Sequence, residues 1–557
     1  MSVIKFCALG GLGENGKNLY VLEIDEKIFV LDCGIKYPSL DLFGVDKVMP
    51  SINYLKQKKD KVQGIFLSHA HEEALGGVVE ILKEIDVGVF GTHFTLSLVE
   101  EAIEEAGLDK ANYRLYRMND NKDLKFGNVS VTFFNTTHSV PESIGVAFKT
   151  NDGYIVYAPD FTLSSHPHPK YRTSFNKISQ IGEDNVLMLL SESIGTSNIS
   201  RTNNDYTLNY MVTDVLAHAK RVVFAMYSSE LDRIQKIINL CVAQNRKIAI
   251  FGRKTQRLIK IAMEVGYLSI PEANLVNLKF MDEENKNDDS DLVVIVTGNR
   301  HEPYFGLQRM VLGQDKLIKL EKDDNVVIIC PPVSETEKIA TDCIDMLNQV
   351  GVKITNLSKV NLRSSHADSE DLKMLYQILN PKYIVPIIGE YRHQYQQRNI
   401  ALDAGYNENQ IIMLENGEQI VFFDGVLDQT KDKVTVGDVL VDGSMAGDIN
   451  EVVLRDREQL SQDGAIVISC AVDTIRKVVT SYPVIKMKGF ILEANNEEVL
   501  NEILEYANSR LEEFLRTKYL NIEGFRVDFR DGLQYVIRRL TDKMPVVIVS
   551  VMDTSLE

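Results

Sequence analysis

Residues 64–77, GIFLSHAHEEALGG, carry the pattern that decides the fold. An apolar run typical of a buried strand ends at Leu67, and Ser68 is followed by two histidines two positions apart, His69 and His71. A His-x-His pair in the loop after a strand places two imidazoles on one side of a turn, where both can reach a single cation. The apolar periodicity that resumes after two glutamates predicts a helix, so the segment is a strand–loop–helix unit of an α/β protein.

Further potential metal ligands occur where later strands end. His138 ends the predicted strand VTFFNTTH, and Asp160 ends the predicted strand YIVYAPD. Side chains at successive strand ends converge on one edge of a sheet, as metal sites in α/β folds require. Three imidazoles and one carboxylate are a sufficient tetrahedral set for zinc. The alternative is that these histidines are simply hydrogen-bonded within a core.

The composition is that of a globular protein with several domains. The chain has 557 residues, of which 44% are apolar and 25% charged. No segment approaches the run of about 18 apolar residues that a membrane span needs, and the N-terminus lacks a signal-peptide pattern. The six cysteines form no C-x-x-C pair, which favours reduced thiols and a cytoplasmic protein.

The charge is strongly acidic overall but locally basic. A net charge of −18 argues against a protein whose whole surface binds nucleic acid. One segment, QNRKIAIFGRKTQRLIK at 244–260, contains six basic residues and no acidic one. It is a candidate wall of a nucleic-acid channel, lined by Arg246, Lys247, Arg253, Lys254 and Arg257.

The pattern of elements divides the chain into segments. Residues 1–203 and 356–425 interleave strand meanders with helical crossovers, which predicts two mixed sheets. Residues 204–355 alternate strands and helices regularly, as in an inserted domain with a parallel sheet. A polar linker at 426–447 leads to a C-terminal α/β domain at 448–557, where Ile503, Leu511 and Leu515 belong to the stripe of an amphipathic helix.

The segment GLGENG matches the dinucleotide fingerprint G-x-G-x-x-G at Gly11, Gly13 and Gly16. That fingerprint must open a helix after its strand. Here Gly16 is followed by NLYVLEID, a strand pattern. The segment is therefore interpreted as a glycine-rich β-turn, and no nicotinamide cofactor is expected.

Several motifs together resemble a known family. SHAHEEALGG resembles the H-x-H-x-D-H signature of the metallo-β-lactamase superfamily. The segments GGLGENGKN, LDCG, NTTHSVPESIG, TGNRHEP, SSHADSEDL, PIIGEYR and VLVDGSMAGDI resemble the landmarks of the ribonuclease J family, in its order and over essentially the whole chain. The resemblance implies an αββα metallo-β-lactamase sandwich, an inserted β-CASP α/β domain and a small C-terminal α/β domain. It also implies a metal-dependent ribonuclease that acts 5′ to 3′ or internally in RNA maturation and decay, preferably on 5′-monophosphorylated RNA.

Carried over residue by residue, the resemblance assigns a metal set and a phosphate loop. His69, His71, His138 and Asp160 stand at the family's positions for the first metal and its bridging aspartate. Leu362, Arg363, Ser364, Ser365 and His366 form a loop that resembles the family's H-x-S-G-H motif, which handles the scissile phosphate. Leu362 stands where the family has its first histidine, and Ser365 stands where it has glycine. Ser228 and Ser229 are further candidate RNA contacts. His366 is the expected catalytic residue, with a weaker role for Glu73.

Three positions depart from the metal signature. Glu73 replaces its aspartate, Ala74 its following histidine and Ile388 the final histidine before Gly389. Alanine and isoleucine offer no donor atom, so we expect one tightly bound ion per chain, Zn²⁺ or else Mn²⁺ or Mg²⁺. The losses resemble the family's second, catalytically reduced paralogue, which works beside an intact one.

Three hypotheses follow from these departures. The first is a ribonuclease with weak activity. The second is a non-catalytic RNA-binding or scaffold subunit in a homo-oligomer or a hetero-oligomer with an active paralogue, assembled through the C-terminal domain and without a membrane. The third, a small thioester or lactam hydrolase, is disfavoured by the inserted domain.

Overall fold

The computed structural model describes residues 2–38, 42, 44–163, 168–197, 205–281, 290–359, 362–428, 432–442, 445–446, 451–490 and 497–556. They form two compact units. One comprises Met1–Tyr37 with Lys47–Val439, and the other Pro38–Asp46 with Leu440–Glu557.

The first unit contains two mixed sheets that face each other. In spatial order, the strands of the first sheet are Val426–Leu427, Glu418–Phe423, Val3–Gly10, Leu19–Ile24, Lys27–Leu31, Val62–Phe66, Val89–Gly91 and Leu115–Arg117, with Asp432–Lys433 paired to Glu418–Phe423. The strands of the second sheet are Tyr383–Ile387, Val186–Glu192, Gly153–Ala158, Ile144–Thr150, Val129–Asn135 and Asp123–Phe126.

Alternation along the strands explains why the two sheets pack together. In Val3–Gly10, Phe6 and Ala8 face the second sheet, whereas Cys7 and Leu9 face the outer helices. The helices over the first sheet are Asn53–Gln57, Glu72–Leu75, Val78–Glu84 and His93–Glu105, and those over the second are Phe175–Glu183, Ser369–Leu379 and Tyr391–Asp403. The predicted αββα sandwich is confirmed. The helix predicted after His71 is present in two pieces, separated by Gly76 and Gly77.

A third sheet of the first unit is parallel throughout. Its strands are Lys247–Phe251, Leu292–Gly298, Val222–Tyr227, Asn325–Ile328 and Lys353–Asn356. The helices Asp205–His218, Leu231–Ala243 and Arg253–Glu264 cover one face, and Glu302–Val311 and Glu337–Val350 cover the other. Both faces are buried, which is why these strands are continuously apolar. The predicted inserted α/β domain is confirmed.

The second unit contains a small α/β domain. Its sheet has the order Val478–Lys488, Ala465–Asp473, Val546–Asp553, and its helices are Glu451–Asp463, Glu497–Arg516 and Ile522–Thr541. The predicted amphipathic stripe is confirmed, since Ile503, Leu511 and Leu515 are buried against the helix that follows. The short strands Asp438–Asp442 and Met445–Ala446 pair through Val441 and Ala446.

The remaining short elements are the strand Lys47–Pro50 and the 3₁₀ helices Lys59–Lys61, Lys110–Asn112, Pro169–Tyr171, Ile194–Ser197, Glu408–Gln410 and Thr554–Leu556. All six cysteines lie buried as free thiols. Within the described ranges, no helix is both long enough and apolar enough to cross a membrane.

The glycine-rich turn is confirmed at residues 11–16. Gly11, Gly13 and Gly16 all have positive φ, and the strand Leu19–Ile24 follows, so no helix opens there. At Gly11 a Cβ would lie 2.5 Å from the hydroxyl of Tyr20, which no L-residue could accept.

The expectation that Arg246 lines a nucleic-acid channel is wrong. Its side chain is 5% exposed, and its guanidinium donates to the carbonyl oxygens of four residues, Leu216, Ala219, Lys220 and Ser290. The carbonyls of Leu216, Ala219 and Lys220 lie at and just after the end of the helix Asp205–His218, where backbone acceptors lack intrahelical partners, and that of Ser290 precedes the strand Leu292–Gly298. Arg246 is thus a structural cap. Lys247 is exposed at the start of its strand, and the side chains of residues 253–257 lie outside the description.

We predict that Arg246→Leu destabilises the chain by roughly 4 kcal/mol, because several buried carbonyls lose their donor at once. Urea unfolding monitored by circular dichroism checks this. Lys247→Leu removes the same charge from an exposed neighbour and should shift stability by about 0.5 kcal/mol or less. Equal effects of the two changes would contradict the capping role of Arg246.

Candidate metal centre

The candidate ligands stand at one edge of the sandwich, as the strand pattern predicts. His69 and His71 follow the strand Val62–Phe66, His138 follows Val129–Asn135 and Asp160 follows Gly153–Ala158. The loops that carry them are short, so each side chain is fixed by the strand that precedes it. The structure brings all four together.

The three imidazoles form a compact buried triangle. The ring centroids of His69, His71 and His138 are separated by 4.8, 4.9 and 5.0 Å, and one nitrogen of each ring lies within 4.8 Å of the others. Asp160 closes the group, with Oδ2 3.4 Å from His69 Nε2. All four residues are at most 9% exposed. The set can surround one small cation.

The outer nitrogen of each ring is engaged by a different segment of the chain. His138 Nδ1 donates to the carbonyl of Ser365 at 2.8 Å, and His71 Nε2 donates to the carbonyl of Ser229 at 3.1 Å. His69 Nδ1 lies 2.8 Å from Ser68 Oγ, whose own proton goes to a carboxylate oxygen of Asp32 at 2.7 Å. Each acceptor fixes the proton on the outer nitrogen, so each ring turns a lone pair inward.

These inward groups fit a divalent cation. His71 Nδ1 and His138 Nε2 face each other at 3.3 Å. Glu73 Oε1 lies 3.2 Å from the same His71 nitrogen; burial opposes the charge on this ring, but the Glu73 carboxylate outweighs it and raises the pKa of His71, so a bound cation would have to displace a proton there. His69 Nε2 and both oxygens of Asp160 are buried without a directed hydrogen bond. Burial lowers the pKa of His69 to about 4 and holds that of His138 well below its usual range, so both rings are neutral near pH 7. Neutral imidazoles and a carboxylate are the donors that a metal of the zinc type prefers.

A second buried cluster adjoins the first. His366 Nδ1 lies 2.7 Å from Glu192 Oε2 and 2.9 Å from Asp160 Oδ1, and its proton is directed at Glu192. The other oxygen of Glu192 accepts from the backbone N–H groups of Phe161 and Ala367. Burial opposes the charge on His366, but the two carboxylates outweigh it and raise its pKa well above the usual value. His366 is therefore an imidazolium.

The sequence patterns did not predict that Glu192, Asp32 and Ser68 belong to the site. Glu192 ends the apolar run VLMLLSE on the same sheet edge as Asp160, and that position was the available signal. Asp32, also at a strand end, is fully buried and accepts from Ser68 N and Oγ and from the hydroxyl of Tyr157. Its role becomes visible only once the neighbouring strands are paired.

The positions that depart from the signature lie at the same edge. Glu73 Oε1 is 3.2 Å from His71 Nδ1, and its side chain is 34% exposed. Ala74 and Ile388 are fully buried, and Ile388 belongs to the apolar cluster between the two sheets. Neither supplies a donor atom.

Ile388 keeps an unusual backbone conformation. Its φ is 52°, in the left-handed region that costs a β-branched residue roughly 1–2 kcal/mol. Ser193 holds this turn, because its N–H and hydroxyl both donate to the Ile388 carbonyl at 3.0 and 2.7 Å. Histidine and asparagine enter this region more readily than isoleucine. The turn therefore has the shape of a ligand position but carries an apolar side chain.

The candidate RNA contacts lie around the same centre. A pocket beside His138 is lined by Ser139, Arg233, Lys236, Arg363, Ser364 and Ser365, among others. Leu362 is 6% exposed and packs in the apolar core, so its side chain is withdrawn from this pocket. Ser228 is 5% exposed and its hydroxyl donates to Asn299. The backbone carbonyl of Ser229 faces the metal set.

The buried carboxyl of Asp32 predicts a pH dependence of stability. Burial raises its pKa from 3.8 to about 7, despite the hydrogen bonds from Tyr157 and Ser68 that lower it. Because the folded state binds this proton more tightly than the unfolded state, its stabilising effect is present below about pH 4 and is lost as pH rises to about 7.

We predict that Asp32→Asn, which keeps the shape and tolerates the positive φ of this position, becomes more stable relative to the unmodified chain as pH rises. The difference should change by about 1.4 kcal/mol per pH unit between pH 4 and 7. Urea unfolding of the metal-free proteins at pH 5 and 8 measures it. Asp323→Asn, at an exposed carboxyl, is the control and should give a difference that is independent of pH.

Comparisons with known proteins agree with this architecture. Four family models match in sequence: the Beta-lactamase superfamily domain at residues 29–174, the Ribonuclease J beta-CASP domain at 219–347, the Zn-dependent metallo-hydrolase RNA specificity domain at 350–411 and the Ribonuclease J C-terminal domain at 452–554. A solved structure of a protein of unknown function from Enterococcus faecalis V583 shares the fold, with a TM-score of 0.51 at 15% identity over 75% of this chain and 100% of that one.

Full-length relatives match the whole chain. Ribonuclease J2 of Bacillus subtilis (strain 168) is 33% identical over 99% of this chain and 98% of its own length. Ribonuclease J 2 of Staphylococcus aureus (strain NCTC 8325 / PS 47) is 31% identical over 98% and 97%, respectively. With relatives of 33% and 31% identity over nearly the whole chain, and with the β-lactamase, β-CASP and C-terminal models matched in order, the chain belongs to the ribonuclease J family.

Proposed function

We propose that the chain is a metal-dependent ribonuclease of low turnover that holds one ion tightly and has a degenerate second metal position. One observation carries the proposal: His69, His71 and His138 lie together with Asp160 beside His69, while Ala74 and Ile388 are buried and lack donor atoms. Family membership supports RNA as the substrate and a divalent metal as the cofactor. We propose 5′-monophosphorylated RNA as the preferred form, cut 5′ to 3′ or internally.

Zinc is the ion that the donor set favours, with Mn²⁺ or Mg²⁺ as alternatives. Three imidazole nitrogens and one carboxylate oxygen satisfy its tetrahedral preference. An ion held by the three imidazoles alone would keep its fourth position for a water that it activates as a Lewis acid, whereas Asp160 bound to the same ion would close that position and make the site structural. A second ion would find only Asp160 and Glu73, so its affinity is low.

His366 is the proposed general acid. Glu192 and Asp160 hold its ring as an imidazolium, with Nδ1 turned to the carboxylates. The ring is 25% exposed, and Nε2, on its opposite edge, is the atom that can give a proton to a leaving oxygen. Glu73 is a weaker candidate, since its carboxylate is bonded to His71.

RNA contacts are proposed for the pocket beside His138. Arg363, Ser364 and Ser365 line it and offer a guanidinium, hydroxyls and backbone groups to a phosphate. We propose backbone contacts from Leu362, Ser228 and Ser229, because the first two side chains are buried. His366 stands between this pocket and the metal set.

The proposed domain organisation is a metallo-β-lactamase core at 1–203 and 356–425, a β-CASP domain at 204–355, a linker at 426–447 and a C-terminal domain at 448–557 that promotes oligomerisation. A scaffold is the second candidate function. The apolar character of positions 74 and 388 favours it, because a chain that only binds RNA needs no second ion. In that case the chain acts beside an active paralogue.

We predict that restoring the missing donors restores metal binding and cleavage. The triple variant Glu73→Asp, Ala74→His and Ile388→His should bind two zinc ions per chain where the unmodified chain binds one. Its cleavage of 5′-monophosphorylated RNA should be faster by orders of magnitude, because the activation of water improves. Elemental analysis after dialysis and a single-turnover assay measure the two quantities.

The matched control is Glu73→Asp, Ala74→Asn and Ile388→Asn, which adds similar polarity but poor zinc ligands. It should still hold one ion and cleave no faster than the unmodified chain. Two tightly held ions in the unmodified chain would refute the degenerate site. The scaffold function is correct instead if the unmodified chain fails to cleave and His69→Ala binds RNA with unchanged affinity.

A further inference from the structure

The orienting partner of His71 belongs to the β-CASP domain rather than to the sheet that carries the histidine. His71 Nε2 lies 3.1 Å from the carbonyl of Ser229, within the segment that matches the β-CASP model. A carbonyl can only accept, so this contact keeps a proton on Nε2, and Nδ1, which faces Glu73 and His138, is the nitrogen that a cation can take. The orientation of His71 therefore depends on the position of the β-CASP backbone.

A second metal ligand is tied to the same domain through its loop. Residues 138–143 join the strands Val129–Asn135 and Ile144–Thr150 and begin with His138. The carbonyl of Ser139 in this loop accepts from the N–H of Asp232, in the first turn of the β-CASP helix Leu231–Ala243, at 3.1 Å. The loop thus touches a metal ligand at one end and the β-CASP domain along its length.

A cluster that we term the Glu142 latch fixes the other end of this loop. It comprises Glu142, Phe94 and Lys170 of the core and Tyr267 of the β-CASP domain. The Glu142 carboxylate accepts from Phe94 N–H at 3.0 Å and from Lys170 Nζ at 2.8 Å. The Tyr267 hydroxyl faces the same carboxylate, and burial together with this carboxylate raises the pKa of Tyr267. The Tyr267 ring stands edge-on to Phe94 at 5.5 Å, with the Lys170 ammonium 5.3 Å from its centre.

We propose that the Glu142 latch couples docking of the β-CASP domain to metal affinity, with Glu142 and Tyr267 as positioning residues that act through His138 and His71. The apolar contacts around the latch are non-directional and tolerate small sliding, whereas its hydrogen bonds set the register between loop and domain. Outer-sphere partners of this kind change metal affinity by about 10–100-fold. The inference rests on the metal set of the proposed function.

The coupling has a consequence for the substrate. The pocket beside His138 takes its lining from both sides of this junction, from Thr137 and Ser139 of the core and from Arg233 and Lys236 of the β-CASP domain. An RNA phosphate bound there bridges the two and favours the docked arrangement. By linkage, RNA binding then raises metal affinity and bound metal raises RNA affinity by the same factor.

The first arm of the test measures zinc affinity in the full chain by competition with a chromophoric chelator. Tyr267→Phe, which removes only the hydroxyl that faces Glu142, should weaken zinc binding on the order of tenfold. Glu142→Gln should do the same. Tyr304→Phe is the matched control, because it removes a buried tyrosine hydroxyl bond to Cys330 within the β-CASP domain itself. Its zinc affinity should stay within about twofold of the unmodified chain.

The second arm uses the unmodified chain and tests reciprocity by amide hydrogen exchange. Zinc should slow exchange at Asp232 and Phe94, whose N–H groups bond to the loop and the latch, relative to the chelator-treated protein. The strand Ala465–Asp473 of the second unit is the internal control and should be unchanged.

Equal zinc affinity in Tyr267→Phe and the unmodified chain, or exchange at Asp232 and Phe94 that ignores zinc, would overturn the coupling while leaving the proposed function intact. Absence of zinc binding by the unmodified chain would overturn both.

Discussion

The structure depends on one electrostatic constraint: three buried imidazoles must each direct a bare lone pair at the same point. A neutral imidazole has one proton, so its outer nitrogen must carry that proton and find an acceptor. Ser68 with Asp32, the Ser229 carbonyl and the Ser365 carbonyl supply the three acceptors. They come from the core sheet, the β-CASP domain and the loop before the helix Ser369–Leu379. The metal set is thus the place where three separate segments of the first unit are brought into register.

The apolar residues at positions 74 and 388 are compatible with the shape of a ligand site. Ile388 retains a left-handed backbone that Ser193 holds through two hydrogen bonds, and its side chain simply joins the apolar core between the sheets. Ala74 is likewise buried. Filling a donor position with an apolar group is favourable for folding, because burial of hydrocarbon replaces a polar group that would need a partner. At position 388 this gain is set against the cost of roughly 1–2 kcal/mol that the left-handed backbone imposes on a β-branched residue.

The sequence predicted that the four candidate ligand side chains converge because strand ends in an α/β fold meet at one sheet edge. His69, His71, His138 and Asp160 all follow apolar runs, so their convergence needed no knowledge of side-chain packing. Glu192 also ends such a run, but an acid at a strand end is unremarkable until the parallel register beside the strand of Asp160 is known. Arg246 was misjudged because a run of basic residues does not reveal which carbonyls lack donors. That depends on where the helix Asp205–His218 ends relative to the strand that begins at Lys247.

The three acceptors come from different domains, and this arrangement would let the proposed metal site respond to RNA. If all three imidazoles were oriented from within the core, metal affinity would be fixed by the core alone. Because the Ser229 carbonyl orients His71 and the Ser139 carbonyl receives the Asp232 amide, movement of the β-CASP domain changes the donor geometry directly. A site with fewer ligands binds its metal more weakly, so the same movement of the β-CASP domain lowers its metal occupancy by a larger fraction. Control of metal occupancy by domain position should thus matter more in a depleted site than in a complete one.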